Sequence, residues 1–112
     1  MRRLGWMIFL ATLATASASQ ASNADWGYVS YITTTDDGYT YFQLSGARIG
    51  ALPGCANPAQ PNRWGFNAAT PAGQARMATL LSAFGMHKQL YIYGSGTCND
   101  ATEIISFFHT GE

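Results

Sequence analysis

Few residues in this 112-residue chain could do covalent chemistry. The histidines are His87 and His109, and Lys88 stands beside the first. A nuclease-like acid and base pair needs two such groups at one scissile bond, and no spacing brings these together. His87 falls at the end of an expected helix and His109 near the end of the chain, where capping or plain solvation accounts for them. Ser95 sits in Gly94-Ser95-Gly96, but a nucleophile elbow needs a strand–Ser–helix context that the flanking residues do not supply. No catalytic residue is assigned. The expectation is a protein that is not an enzyme, with no cofactor and no metal.

Cys55 and Cys98 are the only cysteines. With no nearby Cys or His to complete a ligand set they make a poor zinc site, and in an exported chain a disulfide is the default. Closing a loop of about 43 residues would stabilise the fold by roughly 4 kcal/mol on chain entropy. Arg63 and Glu103 are the notable charges in a charge-poor chain. They are expected to pair across neighbouring strands, with Trp64 covering the pair and the contact fixing strand register. A ligand clamp is the functional alternative for the same two residues. Trp26, Tyr28, Tyr39, Tyr41, Tyr91 and Tyr93 form a dense aromatic set, suited either to stacking on a ligand or to filling core and interface.

Export itself is read from the N-terminus. Arg2 and Arg3 precede an apolar run from Leu4 to Leu13, and Ala14 to Ala24 are small and polar, which is the form of a secretory leader. The run is too short for a spanning helix of about twenty residues. The expected division is a cleaved leader over 1–24 and one domain over 25–112, with cuts after Ala18 or Ala21 as alternatives. Loss of Arg2 and Arg3 takes six basic residues to four against six acidic ones, leaving the mature chain near −2. Four scattered cations make no basic stripe, so nucleic acid is not the expected ligand. The compartment is the periplasm or the exterior, with no membrane span after cleavage.

The elements that must position these residues follow from pattern. Trp26 to Thr35 is rich in aromatic and β-branched residues and reads as a strand. Asp36-Asp37-Gly38 is a turn, and Tyr39 to Leu44 returns as a second strand. Ser45 to Asn62 is punctuated by glycine and proline and reads as a loop or short edge segment. Arg63 to Asn67 is a third strand. Thr70 caps a helix that begins at Pro71. Met77, Leu80, Leu81 and Phe84 are expected as its buried stripe, with Gly85 as its left-handed stop. Gln89 to Tyr93 is a fourth strand, Gly94 to Thr97 a mobile turn, and Asp100 to His109 a fifth strand. One helix between the third and fourth of five strands is the order of an OB-fold, a small Greek-key barrel. An open α+β sheet with the helix packed on it is the alternative.

Cys55 in a Pro/Gly-rich loop, Arg63-Trp64, Thr70 to Gly73, Leu80 to Gly85 with Lys88, Tyr91 to Cys98, and Asp100 with Glu103 together resemble small secreted bacterial proteins related to the subtilase cytotoxin B subunit. The resemblance covers nearly all of the mature chain and is most specific from Arg63 to Glu103. It implies an OB-fold and a non-enzymatic binding protein that recognises a glycan or a protein surface, in toxin members as a pentamer that binds sialylated sugars and delivers a toxic A subunit. It also implies that Ser30, early in the first strand, contacts the ligand. Trp26, Tyr28, Tyr39 and Tyr41 are the further candidates for that contact. The alternative is a stand-alone periplasmic protein that binds or inhibits an envelope enzyme.

Overall fold

The computed structural model describes residues 21–111. Residues 1–20, which carry the charged start and apolar run of the expected leader, and Glu112 lie outside the described residues. The fold is mainly β with one helix. Its strands are β1 (Asn23–Gly27), β2 (Val29–Thr34), β3 (Tyr39–Leu44), β4 (Arg48–Ile49), β5 (Arg63–Asn67), β6 (Leu90–Asn99) and β7 (Thr102–Thr110), and α1 (Pro71–Gly85) lies between β5 and β6.

These strands form one seven-stranded sheet in the order β2-β3-β5-β7-β6-β1-β4, antiparallel except for β5 against β7. The expected closed five-stranded barrel is therefore corrected to an open sheet. The extra strands have local causes. The expected first strand is broken at Tyr28 into β1 and β2, which pair with β6 and β3 respectively. β4 is a two-residue edge segment that pairs only with β1, through Asn23↔Ile49 and Ala24↔Arg48. β1 starts two residues before the boundary expected after Ala24, and Ala24 is fully buried in the core.

The hairpin β2–β3 is as expected. Gly38 takes a positive φ of 87°, and the turn closes through Thr35 N to Tyr39 O at 2.9 Å. Beyond it the period-2 alternation of a strand sets the core. Thr40, Phe42 and Leu44 face inward, against Trp64 and Phe66 of β5. Leu90, Ile92, Ile105, Leu80 and Ala83 complete that core.

The helix starts as the sequence requires. Thr70 Oγ1 accepts from Gly73 N at 2.9 Å, and Pro71 occupies the first turn. Its buried face is a correction. Gly73, Leu80 and Ala83 are buried and Met77 packs on the core, whereas Leu81 and Phe84 are about half exposed. The face is set by close approach: a Cβ at Gly73 would overlap the carbonyl of Asn67, so this side of the helix lies tight on the end of β5. The left-handed residue at the helix end is His87, with φ 50°, not Gly85.

The expected turn at Gly94 to Thr97 is also corrected, because β6 continues through it to Asn99, with its register against β7 shifting on either side of Gly94. The reversal falls later, at Asp100 and Ala101, both with positive φ. Two adjacent positive-φ residues are the signature of a tight hairpin turn. Cys98 on β6 is bonded to Cys55, with Cα atoms 5.9 Å apart, so the disulfide ties the long β4–β5 loop to the sheet.

Candidate functional site

Three groups of side chains stand out once the strands are placed, and the first is buried. Glu103 on β7 is fully buried and registers beside Trp64 of the parallel neighbour β5. Registered residues share a face and successive residues alternate. Glu103 therefore lies on the Trp64 side of the sheet, while Arg63 lies on the other side with Thr102. Arg63 Nη1 accordingly donates to Thr102 Oγ1 at 2.9 Å, and the expected Arg63–Glu103 pair does not form. The cation on Glu103 is Arg48, with Nη1 to Oε1 at 2.7 Å and both side chains nearly or wholly buried. Trp64 covers this pair from one side, its ring 3.9 Å from the Arg48 guanidinium carbon. Burial lowers the Arg48 pKa from its usual range, and the adjacent Glu103 carboxylate opposes that shift.

The rest of the Glu103 carboxylate is fully occupied. Oε1 accepts from the Ser22 hydroxyl, while Oε2 accepts from Ser22 N at 3.2 Å and Gly96 N at 3.1 Å. Among the described residues every buried side-chain nitrogen or oxygen has a hydrogen-bond partner. A buried charge satisfied this completely is a structural centre and has no capacity left for a ligand.

The second group lies on the opposite face. Tyr31, Thr33, Tyr41, Gln43, Gln60 and Arg63 line an open cleft of about 220 Å³. Tyr41 is its floor. The ring lies across Gly65, where an added Cβ would stand 2.7 Å from it, and its hydroxyl donates to Asn99 Oδ1 at 3.1 Å. The Arg63 guanidinium sits over the same ring at 4.3 Å. Burial raises the Tyr41 pKa above its usual value of 10.0, and the Asp100 carboxylate adds to that. Tyr31 forms the rim. Ser30 pairs with Gln43 and Thr33 with Tyr41, so Tyr31 and Ile32 together face Phe42 alone. This two-against-one count is a β-bulge, a device that re-aims a side chain. Ile32 turns to the core, and Tyr31, with φ 52°, is 78 % exposed. A bulky non-glycine residue in the left-handed region is strained, and such residues concentrate at binding sites.

The third group is an aromatic strip along β6 and β7. Tyr91 pairs with His109 and Tyr93 with Phe107 across the ladder. Tyr93 stacks on Phe107 at 4.3 Å, and Trp26 meets Tyr91 edge-on at 5.6 Å. Trp26 and Phe107 are both more than two-fifths exposed.

The five expected ligand residues are thus divided. Tyr41 lines the cleft, Tyr39 stacks beside it at 6.3 Å, and Ser30 is in register with the lining residue Gln43. Trp26 belongs to the aromatic strip, and Tyr28 lies flat on His87 with ring centroids 3.9 Å apart. The sequence does not single out Thr33, Gln43 or Gln60, and it marks Tyr31 only as one strand residue among several. Among the described residues no group of three His, Cys, Asp or Glu could hold a metal, and no helix is long and apolar enough to cross a membrane. Comparison with protein-family profiles, with curated proteins and with solved structures finds no match to this chain.

Proposed function

We propose that this chain is an exported, non-enzymatic binding protein that takes a glycan in the cleft between Tyr31 and Arg63. The observation that carries this reading is the lining itself. Above the buried Tyr41, the exposed ring of Tyr31 stands beside a guanidinium, two amides and a threonine, which is a set suited to stacking a sugar ring on Tyr31 and bonding its hydroxyls. The cleft is smaller than the roughly 300–1,000 Å³ of pockets that enclose a drug-sized ligand or cofactor, so it takes one ring of a longer chain. The Cys55–Cys98 disulfide is compatible with an oxidising compartment. Kinship with toxin B subunits is supported by the placement of the helix between β5 and β6 and by the parallel β5/β7 pair. A further support is that the stretch Asn23–Thr34 reaches both β6 and β3, as the first strand of an OB-like arrangement would.

The test is a glycan array on the purified oxidised protein, repeated with Tyr31→Ala and Arg63→Gln. Binding that both substitutions abolish, with melting temperature retained, supports the reading. Binding that neither affects removes it.

The alternative, a stand-alone periplasmic protein that binds or inhibits an envelope enzyme, is favoured by the aromatic strip. Exposed aromatic rings are the residues enriched at the centres of protein interfaces. A partner lost on Trp26→Ala or Phe107→Ala but kept on Tyr31→Ala selects that reading.

A further inference from the structure

The environment of Ser22 bears on where the leader is removed. Ser22 is 1 % exposed, Ala24 is fully buried, and Ala21 is exposed. A cut after Ala24 would delete both buried residues. Glu103 would then lose two of its hydrogen bonds, from Ser22 N and Ser22 Oγ, and Arg48 Nη1 would lose Ser22 Oγ. Gly94 N would lose the Ser22 carbonyl, which accepts from it at 2.8 Å. Both register pairs that hold β4 to β1 would go, together with the Asn23↔Tyr93 and Ala24↔Ile92 pairs of β1 with β6. A fully buried carboxylate that loses two of its hydrogen bonds is left under-satisfied, which destabilises the fold.

We infer that the leader is cut between Ala21 and Ser22, and that the new α-amino group of Ser22 forms an ion pair with the buried carboxylate of Glu103. This inference rests on the export reading. Ala21 and Ser19 supply the small residues that a leader peptidase needs on either side of Gln20. Hydrolysis adds one water across the Ala21–Ser22 bond, leaving a carboxylate on the leader and an amine on Ser22. That amine has an ordinary value of about 7.7–8.0, so it is largely protonated at neutral pH. The nitrogen already stands 3.2 Å from Glu103 Oε2, while Arg48 holds Oε1. Each carboxylate oxygen then carries its own cation. The cut turns a bond from a neutral N–H to the carboxylate into one between two opposite charges, so the processed chain closes on Glu103 more firmly than the precursor.

The test is expression of the full chain in an export-competent bacterial host, with intact mass and N-terminal sequencing of the recovered protein. A start at Ser22 is expected. A start at Ser19 or at Asp25 overturns the inference and leaves export standing. An unprocessed chain confined to the cytoplasm overturns both. The ion pair has its own readout, acetylation by an N-hydroxysuccinimide ester at pH 7. In the native Ser22-start protein the α-amine should react at least tenfold more slowly than in the same protein in urea. Equal rates overturn the pairing even if the cut is at Ser22. Glu103→Gln, where it folds, should raise the native rate toward the unfolded one, and an unchanged native rate there also overturns the pairing.

Discussion

Gly94 lies directly beneath the carboxylate of Glu103: a Cβ added at Gly94 would overlap Oε2 and stand 2.5 Å from the Ser22 carbonyl. The glycine is needed because a buried acid from β7 rests on the backbone of β6, with Gly96 N donating to the same oxygen. Gly94→Ala should therefore cost more than the roughly 1–3 kcal/mol of ordinary overpacking. The check is chemical denaturation of Gly94→Ala, Glu103→Ala and the double variant. Residues in direct contact couple non-additively, so the double variant should be more stable than the sum of the single losses predicts. Additive losses would mean that the two residues do not share this contact.

Arg48 and Arg63 should separate cleanly in stability. Arg48 is the buried partner of Glu103, and removing one member of such a pair costs about 3–5 kcal/mol because it strands the other charge. Arg63 sits 3.7 Å from a largely exposed Asp100, and pairs of that kind contribute about 0–1 kcal/mol. Thermal melts of Arg48→Gln and Arg63→Gln measure the difference. Since 1 kcal/mol shifts the midpoint of a domain this size by about 4–8 °C, Arg48→Gln should fall by more than ten degrees and Arg63→Gln by only a few. Equal shifts would return Arg63 to the structural role that the sequence suggests for it.

These two arginines also show what was legible in the sequence. The helix cap at Thr70, the Asp36-Asp37-Gly38 hairpin and the Cys55–Cys98 bond were legible because each depends on local chemistry or on a count of two. The partner of Glu103 was not. It depends on strand parity, since Trp64 and not Arg63 shares the Glu103 face, and on Arg48 arriving from an edge strand two residues long. Gly94-Ser95-Gly96 misleads for a related reason. Glycine marks a turn and a close approach alike, and the acid that distinguishes them lies on another strand. The helix face was displaced because Gly73 and Ala83, which pack closely, carry little hydrophobic signal beside Leu81 and Phe84. In the cleft, Tyr41 was legible as one of the dense aromatic set. Tyr31 was not, because its exposure follows from a bulge that no residue type announces.

Reduction of the disulfide tests the loop that carries Gln60 to the cleft. The bond closes a span of 43 residues, worth about 4 kcal/mol on chain entropy. Denaturation with and without reductant, or of a Cys55→Ser/Cys98→Ser variant, should show a loss of about that size. Glycan affinity should weaken as well, because Gln60 lies five residues beyond Cys55. A reduced protein with unchanged stability would mean that the long loop is held by its other contacts.

Tyr41 should set an alkaline limit on stability. Burial favours its neutral phenol, and Asp100 reinforces this, so its pKa in the fold lies above the usual 10.0. A group whose pKa is raised on folding contributes fully below its unfolded value, and the contribution is lost as pH rises through the folded value. Unfolding free energy should accordingly be flat with respect to this group at neutral pH and fall above about pH 10. Tyr41→Phe should flatten that fall while losing about 1 kcal/mol at pH 7 with the Asn99 hydrogen bond. An alkaline slope that is the same in both proteins would assign it to other tyrosines.

Tyr31 separates stability from binding more sharply than any other residue of the cleft. Its positive φ of 52° holds a bulky side chain where glycine would sit without cost, and strain of this kind is worth about 1–3 kcal/mol. Its side chain is 78 % exposed, so it recovers little of that through burial. Tyr31→Gly should therefore stabilise the free protein by about 1 kcal/mol, with the greater flexibility of an unfolded glycine offsetting part of the relief. Tyr31→Ala keeps most of the backbone strain and should leave stability near that of the parent. Both substitutions should abolish glycan binding, because both remove the rim ring. A strained residue whose removal stabilises the fold and ends binding is one retained for the ligand. If Tyr31→Gly is instead destabilising, the bulge is held by packing of the ring. The strain then carries no functional meaning, and the cleft loses its main support as the binding site.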